Sequence, residues 1–276
     1  CRAPPLRCRS CQGLRPLPSN DALRQHATDS RRDISELFRG SLAQLLEVLL
    51  RFHSRWQAAN AQFYKTRAIN SAYLTDQVHL CTEDRRVLFR ILGDKRVEQI
   101  LHEIFLGPAA FMNTQLFFNP LNPQQANYWH RDIQYSGEPE AAQRDELMRI
   151  NVLHLRLALM PEPGLELVPG SHKRWDTETE YSVRMEKGQS KVSDDLPNAE
   201  CVAMARGDLL VFSANMLHRG LYGGNRLAFD MLFCDPLERL LKYARPSCLP
   251  HGEDFDFIAN PSPFLETIRV RNEAAL

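Results

Sequence analysis

From Gly107-Pro108 onward the chain is cut into seven short runs, "FMNTQLFF", "YWHRDIQY", "INVLHLRLAL", "LELV", "ECVAMA", "DLLVFSA" and "RLAFDMLF", separated by Pro, Gly and Asn. Alternation of apolar and polar side chains over so few residues marks strands with one buried face. Closely spaced strands of this kind must pair with one another and close over a shared interior, which predicts a β-sandwich or jelly roll.

The two faces of these strands differ in character. In "INVLHLRLAL" the side chains of Leu153, Leu155, Leu157 and Leu159 share one face, and Val152, His154, Arg156 and Ala158 share the other. In "RLAFDMLF", Leu227, Phe229, Met231 and Phe233 oppose Arg226, Ala228 and Asp230. An apolar face suits a covering layer of helices. Charged faces on several strands together point to a lined cavity between two sheets.

Residues 33–106 supply those helices. "DISELFRGSLAQLLEVLLRFHSRW" repeats Leu and Phe at three- and four-residue intervals, and "TEDRRVLFRILGDKRVEQILHEIF" opens on a Thr82 cap with acids in its first turn. No internal repeat and no linker separates helices from strands. The expectation is one mainly-β domain over 33–276: a helical part at 33–106, a sandwich or jelly-roll core at 109–236 and a C-terminal segment at 237–276. The opening "CRAPPLRCRSCQGLRPLPSN" holds four arginines, four prolines and no acid, so residues 1–32 are expected to form a disordered or leader-like tail. Its Cys8-x-x-Cys11 lacks a second ligand pair at zinc-finger spacing.

Charge restricts the partners. Lys plus Arg and Asp plus Glu both number 34, so nothing in the balance favours nucleic acid or an anionic membrane. The longest apolar run, "LAQLLEVLL", falls well short of a membrane span and carries Glu47. Cysteines scattered singly at 81, 201, 234 and 248 read as buried free thiols of a reducing, cytoplasmic setting. The expected partner is a small molecule; oligomeric state leaves no mark in the sequence.

Chemistry concentrates in "YWHRDIQY". On a strand, His130, Asp132 and Gln134 project to one side, and an imidazole nitrogen and a carboxylate oxygen on neighbouring same-face positions can reach one ion. Taken alone, the pair is equally well a polar coincidence at a solvated edge. His218 in "GDLLVFSANMLHRGLYGGNR" is the candidate third ligand, because two histidines and one carboxylate form the facial triad that leaves positions open at Fe(II). Arg226, at the start of the next strand, offers a planar fork to a carboxylate.

The order of "YWHRD", "LELVPGSHKRW", "GDLLVFSANMLHRG" and "GGNR" resembles the successive signatures of the phytanoyl-CoA dioxygenase family, the iron(II)- and 2-oxoglutarate-dependent oxygenases built on a double-stranded β-helix. The resemblance covers about residues 109–236. It implies that His130, Asp132 and His218 bind iron and that Arg226, or Arg156 in its place, clamps the far carboxylate of 2-oxoglutarate. Gln115 would contact the cosubstrate's C1 end. Two departures stand out: Asn119 where many members have lysine, and a short turn between His218 and Arg226.

The implied activity consumes O2 and 2-oxoglutarate, releases succinate and CO2, and hydroxylates an unactivated C–H of a small molecule, an amino acid or natural-product intermediate. The acid at 132 favours hydroxylation over halogenation. Alternatives are an acyl-CoA hydroxylase of the same family and a non-catalytic or other-metal cupin-like binding protein. His172 is expected in a structural turn and His154 in the core or behind a ligand. Trp129, Arg131, Tyr135 and Trp175 fall near the mouth by sequence, each either shaping substrate choice or serving as ordinary packing or surface, and the polar segment 176–200 is either a lid or a solvated insertion.

Overall fold

The computed structural model describes residues 39–66 and 70–274. The expected tail, with Cys1, Cys8 and Cys11, lies outside them. Helix α1 (Arg39–Ala59) buries Leu42, Leu45, Leu49, Phe52 and Trp56 at helical spacing. It is followed by α2 (Ala61–Thr66), a short strand β1 (Asn70–Ala72) within the part expected to be helical, α3 (Thr82–Leu92) and α4 (Lys95–Ile104). The cap of α3 differs from expectation: Cys81 holds the N-cap position without a side-chain bond, and Thr82 is the first helical residue. Gly93 separates α3 from α4 because a side chain there would meet Ile258 and the Asn260 carbonyl; Asp94 then caps α4 by accepting from the Arg96 N–H at 2.9 Å.

Eight described strands follow the jelly-roll plan of two antiparallel sheets, which are not closed into a barrel. β2 (Ala110–Phe118), β3 (Val152–Ala158), β6 (Leu209–Ser213) and β8 (Leu227–Cys234) form the larger sheet with β1, in the order β1-β2-β8-β3-β6. β4 (Glu162–Leu167), β5 (Glu200–Met204) and β7 (His218–Gly220) form the smaller, ordered β5-β4-β7.

The outward face of the larger sheet carries the core. Leu153, Leu155, Leu157, Phe229, Met231 and Phe233 pack with α1, α3, α4 and the late helix Ser262–Glu273, through Phe52, Leu88, Leu101 and Phe264. Each fully buried Leu or Phe contributes about 1.5–3 kcal/mol, so this face fixes the register of β3 and β8. The opposite residues, His154, Arg156 and Asp230, then necessarily point between the sheets. On β2 a bulge between Phe111 and Asn113 changes the phase. Phe111 and then Leu116 and Phe118 join the core, while Met112, Asn113, Gln115 and Phe117 line the interior cavity.

Among the described residues no helix is long and apolar enough to cross a membrane.

Candidate active site

The expected ligand strand is not a strand. His130 sits in an isolated bridge with His218, and Asp132 opens a 3-10 turn, Asp132–Tyr135. His130 and Asp132 still converge, but the alternation fails beyond them. Ile133 lines the cavity, whereas Gln134 turns back to accept from the Arg131 N–H and from Arg184.

Main-chain bonds place each candidate ligand. His130 and His218 exchange N–H···O bonds of 3.0 Å in both directions, and the Asp132 N–H donates to the Ala214 carbonyl at 3.0 Å. His218 also pairs with Leu167 as β7 joins β4. The result is a cluster in which one donor atom from each of His130, Asp132 and His218 lies within 4.8 Å of the others.

Tautomer and charge follow from neighbours. The Nδ1 of His218 is 2.8 Å from the Met216 carbonyl and that of His130 is 3.2 Å from the Tyr128 carbonyl. A carbonyl only accepts, so both Nδ1 atoms carry the proton and both Nε2 atoms present a lone pair. Burial lowers both imidazole pKa values, that of His218 further still because of His130. Burial works against the charged form of Asp132 too, but the His154 ring and the other two histidines outweigh it and hold the carboxyl well below its ordinary range. Asp132 Oδ1 is 3.7 Å from each Nε2, too far for a hydrogen bond. Three electron-pair donors thus face one another with no proton between them, an arrangement suited to a divalent cation.

His154 is a neighbour of the cluster, not a fourth ligand. Its Nε2 is 2.9 Å from Asp132 Oδ2 and its Nδ1 2.8 Å from Asp230 Oδ2, while Phe212 stacks on its ring. Burial opposes its charge, yet Asp230 and Asp132 together push its pKa up to about 10.

The cavity around these groups measures about 300 Å³. Its inner end holds Arg226 and Arg156, both nearly inaccessible, with Glu162 as their carboxylate. Glu162 is bound in bidentate fashion to Arg156 at 3.0 Å and lies 3.8 Å from Arg226 Nε. Arg156 is therefore matched. Arg226 donates from Nη1 to the Phe118 carbonyl at 3.0 Å, but its buried Nε has no partner. Two guanidiniums against one carboxylate leave a buried positive charge unpaired, a strongly unfavourable state unless an anion enters. Burial and Arg156 lower the Arg226 pKa to about 10, so it remains a cation at neutral pH. The residues present therefore fit a small carboxylate as well as a metal. Gln115 also lines this cavity.

Asn119 holds a loop instead of reaching into the cavity. It faces the short turn, accepting from the Gly223 N–H at 2.9 Å and donating to the Gly224 carbonyl at 2.8 Å, and so fixes the loop that delivers Arg226.

Several expected mouth residues are elsewhere. Trp129 is fully buried and donates from its indole to Asp194 O. Arg131, also inaccessible, binds Asp176 and the carbonyls of Ser171 and Asn215 at 2.6–2.7 Å. Trp175 is covered by the guanidiniums of Arg131, Arg144 and Arg184; of Trp129, Arg131, Tyr135 and Trp175, only Tyr135 lines the cavity. His172 lies in the Ser171–Lys173 turn, buried as expected. The preceding Ser171 braces the segment that carries His218 by accepting from the Leu217 N–H at 2.8 Å.

The 176–200 segment contributes helix Glu178–Arg184 and is tied down near the ligands: the Trp129 N–H donates to Val192 O, and Arg219 pairs with Asp195. Sequence reasoning missed Asp176, Ser171 and Asp230 as site supports. Only Asp230 left a signal, as an acid on the polar face of an otherwise apolar strand.

No curated protein matches the chain. Among solved structures, it is similar to EctD from S. alaskensis with 2-oxoglutarate and 5-hydroxyectoine, at 14% identity and TM-score 0.50 over 71% of this chain and 68% of that one. The apo form of the same enzyme gives 17% identity and TM-score 0.50 over 78% and 76%. AviO1 from Streptomyces viridochromogenes Tue57 gives 19% and 0.48 over 75% and 95%. At these identities the EctD likeness is one of fold. The family model described as phytanoyl-CoA dioxygenase (PhyH) matches residues 20–224, well over half of the sequence. On that match the chain belongs to the phytanoyl-CoA dioxygenase family of iron(II)- and 2-oxoglutarate-dependent oxygenases.

Proposed function

We propose that this protein hydroxylates an unactivated C–H bond of a small molecule, an amino acid or natural-product intermediate, with iron and 2-oxoglutarate held in the cavity described above. The observation that carries the reading is the triple convergence of His130 Nε2, His218 Nε2 and Asp132 Oδ1 without an intervening proton, beside a buried Arg226 whose Nε has no hydrogen-bond partner.

In this reading the two imidazoles and Asp132 hold the iron, and Arg226 binds the far carboxylate of 2-oxoglutarate, with Gln115 alongside. Arg156 stays engaged with Glu162 and shapes the pocket floor instead of clamping the cosubstrate. When bound, iron and 2-oxoglutarate supply the oxidation: O2 and 2-oxoglutarate give succinate and CO2, and one oxygen atom converts R–H to R–OH. The chain's own contribution is placement and exclusion of water. Met112, Val152 and Leu232 surround the reacting region with apolar surface. Ion-paired Arg239 and Glu146, with Glu138 and Lys242, form a polar outer rim able to hold the substrate's polar groups. A cavity of about 300 Å³ suits a cosubstrate plus a compact substrate or one compact portion of it. We place the enzyme in the cytoplasm, a setting supported by Cys81, Cys201, Cys234 and Cys248 being free thiols.

Anaerobic calorimetry tests the assignment. One Fe(II) per chain is expected, 2-oxoglutarate binding one to one afterwards, and both lost in His218→Ala. Undiminished iron binding by that variant contradicts the ligand set.

A further inference from the structure

Asp132 has two carboxylate oxygens with different surroundings. Oδ1 faces both candidate imidazoles at 3.7 Å; Oδ2 is taken up by His154 Nε2 at 2.9 Å. The His154 ring is itself fixed on three sides. Asp230 Oδ2 holds its Nδ1 at 2.8 Å, Phe212 stacks on it with an interplanar angle of 8°, and β3 carries it between β6 and β8. Asp230 is 1% exposed and His154 2% exposed. Its other oxygen, Oδ1, is buried without a partner, so the carboxylate has no stronger engagement than His154.

A polar arrangement this deep is unfavourable unless each member is bonded, and an apolar core residue of like volume would be simpler at 154. Meanwhile Asp132 stands on a 3-10 turn, where its backbone bond to Ala214 fixes the main chain but leaves the carboxylate free to rotate about its own axis. Among the described residues, the hydrogen bond that fixes that rotation comes from His154.

We propose that His154, held by Asp230, is a positioning residue for the metal-binding carboxylate, engaging Asp132 Oδ2 so that Oδ1 points at the metal. The inference rests on the ligand assignment made above and extends it to a chain running Asp230, His154, Asp132 across three elements.

Co(II) affinity of the apo-protein, measured by calorimetry, tests it without recourse to turnover. His154→Leu removes the donor, whereas His154→Gln keeps an amide N–H near the former Nε2. Partners of this kind alter metal affinity by roughly 10- to 100-fold. We expect His154→Leu to raise the Co(II) Kd by that factor and His154→Gln to stay within about threefold of the parent. Asp230→Asn should weaken binding by about three- to tenfold in the parent and add nothing in the His154→Leu background, because it acts through the imidazole.

Parent-like affinity in His154→Leu overturns the proposal. So does equal loss in the Leu and Gln variants, which means that the ring merely fills space, or an undiminished Asp230→Asn effect in the double variant. If His154→Leu does not fold by circular dichroism, Asp230→Asn alone decides, and parent-like affinity there overturns it. Asp132→Ala separates the two levels: if it binds Co(II) like the parent, the ligand assignment itself fails and takes this inference with it.

Discussion

The backbones of His130 and His218 are bonded to each other in both directions, each N–H 3.0 Å from the other's carbonyl oxygen. An antiparallel pair joined this way presents both side chains on one side of the ladder. The ring centroids consequently lie 4.1 Å apart, with Asp132 reaching the same space from the following turn. The two imidazoles are therefore brought together by main-chain pairing, and His154 orients the carboxylate beside them.

Metal loading should stabilise the folded chain by mass action. At a free metal concentration about 100 times the Kd the gain is about 2.7 kcal/mol, which corresponds to roughly 5–10 °C in Tm for a chain of this size. Thermal melts with Fe(II) or Co(II), before and after chelation, measure it; equal Tm values would speak against a preformed site.

Gly220 clears the path of Arg226. A Cβ at position 220 would lie 2.5 Å from Arg226 Nη2, so the guanidinium must shift in Gly220→Ala. Misplacement of a binding group by about 1 Å can reduce function by roughly 100-fold. The Kd for 2-oxoglutarate on the metal-loaded protein is expected to rise about 10- to 100-fold with the metal Kd unchanged. Unaltered 2-oxoglutarate affinity would show that Arg226 is not the clamp.

Arg131 stands between His130 and Asp132 and joins them to the Ser171–Asp176 loop. Arg131→Met leaves Asp176 with Arg184 as its remaining guanidinium and frees two buried carbonyls. Arg184 still compensates Asp176, so the cost is set mainly by the two freed carbonyls, about 1–3 kcal/mol each. Urea denaturation should show a loss of that order, together with weaker metal binding; a change under about 1 kcal/mol would mean the network contributes little.

His172 sets a pH dependence. Burial, then Lys173 and Arg131, lowers its pKa from 6.5 to about 4. The unfolded chain therefore binds more protons than the folded one between these values, and stability is full above pH 6.5 and falls as pH drops toward 4. From pH 7 to pH 5 this one group removes on the order of 2 kcal/mol. His172→Gln should flatten that part of the stability profile relative to the parent, and parallel profiles would refute the assignment.

The alternation along β3 and β8 exposed the two-faced sheet in the sequence, because Leu155 and Met231 pack outward while His154 and Asp230 face the cavity. The three residues that converge, His130, Asp132 and His218, were legible from residue type and order, though for a reason other than strand alternation. Asp132 reaches the cluster through a 3-10 turn, which period-two reasoning cannot distinguish from a strand over two residues. β7 was invisible because His218–Gly220 is too short and polar to display a pattern. The burial of Arg131 was equally hidden, since its partner Asp176 lies 45 residues away and only tertiary folding joins them. Asn119 shows the same limit: its bonds to the 223–224 turn depend on contacts more than 100 residues apart.

Succinate release is the most direct test of the account. Purified protein, Fe(II), 2-oxoglutarate and O2 should yield succinate, faster with an accepted amino acid or natural-product intermediate, and Asp132→Ala should yield none above background. Succinate formation by Asp132→Ala at the parent rate, or independent of added iron in the metal-free parent, would contradict it.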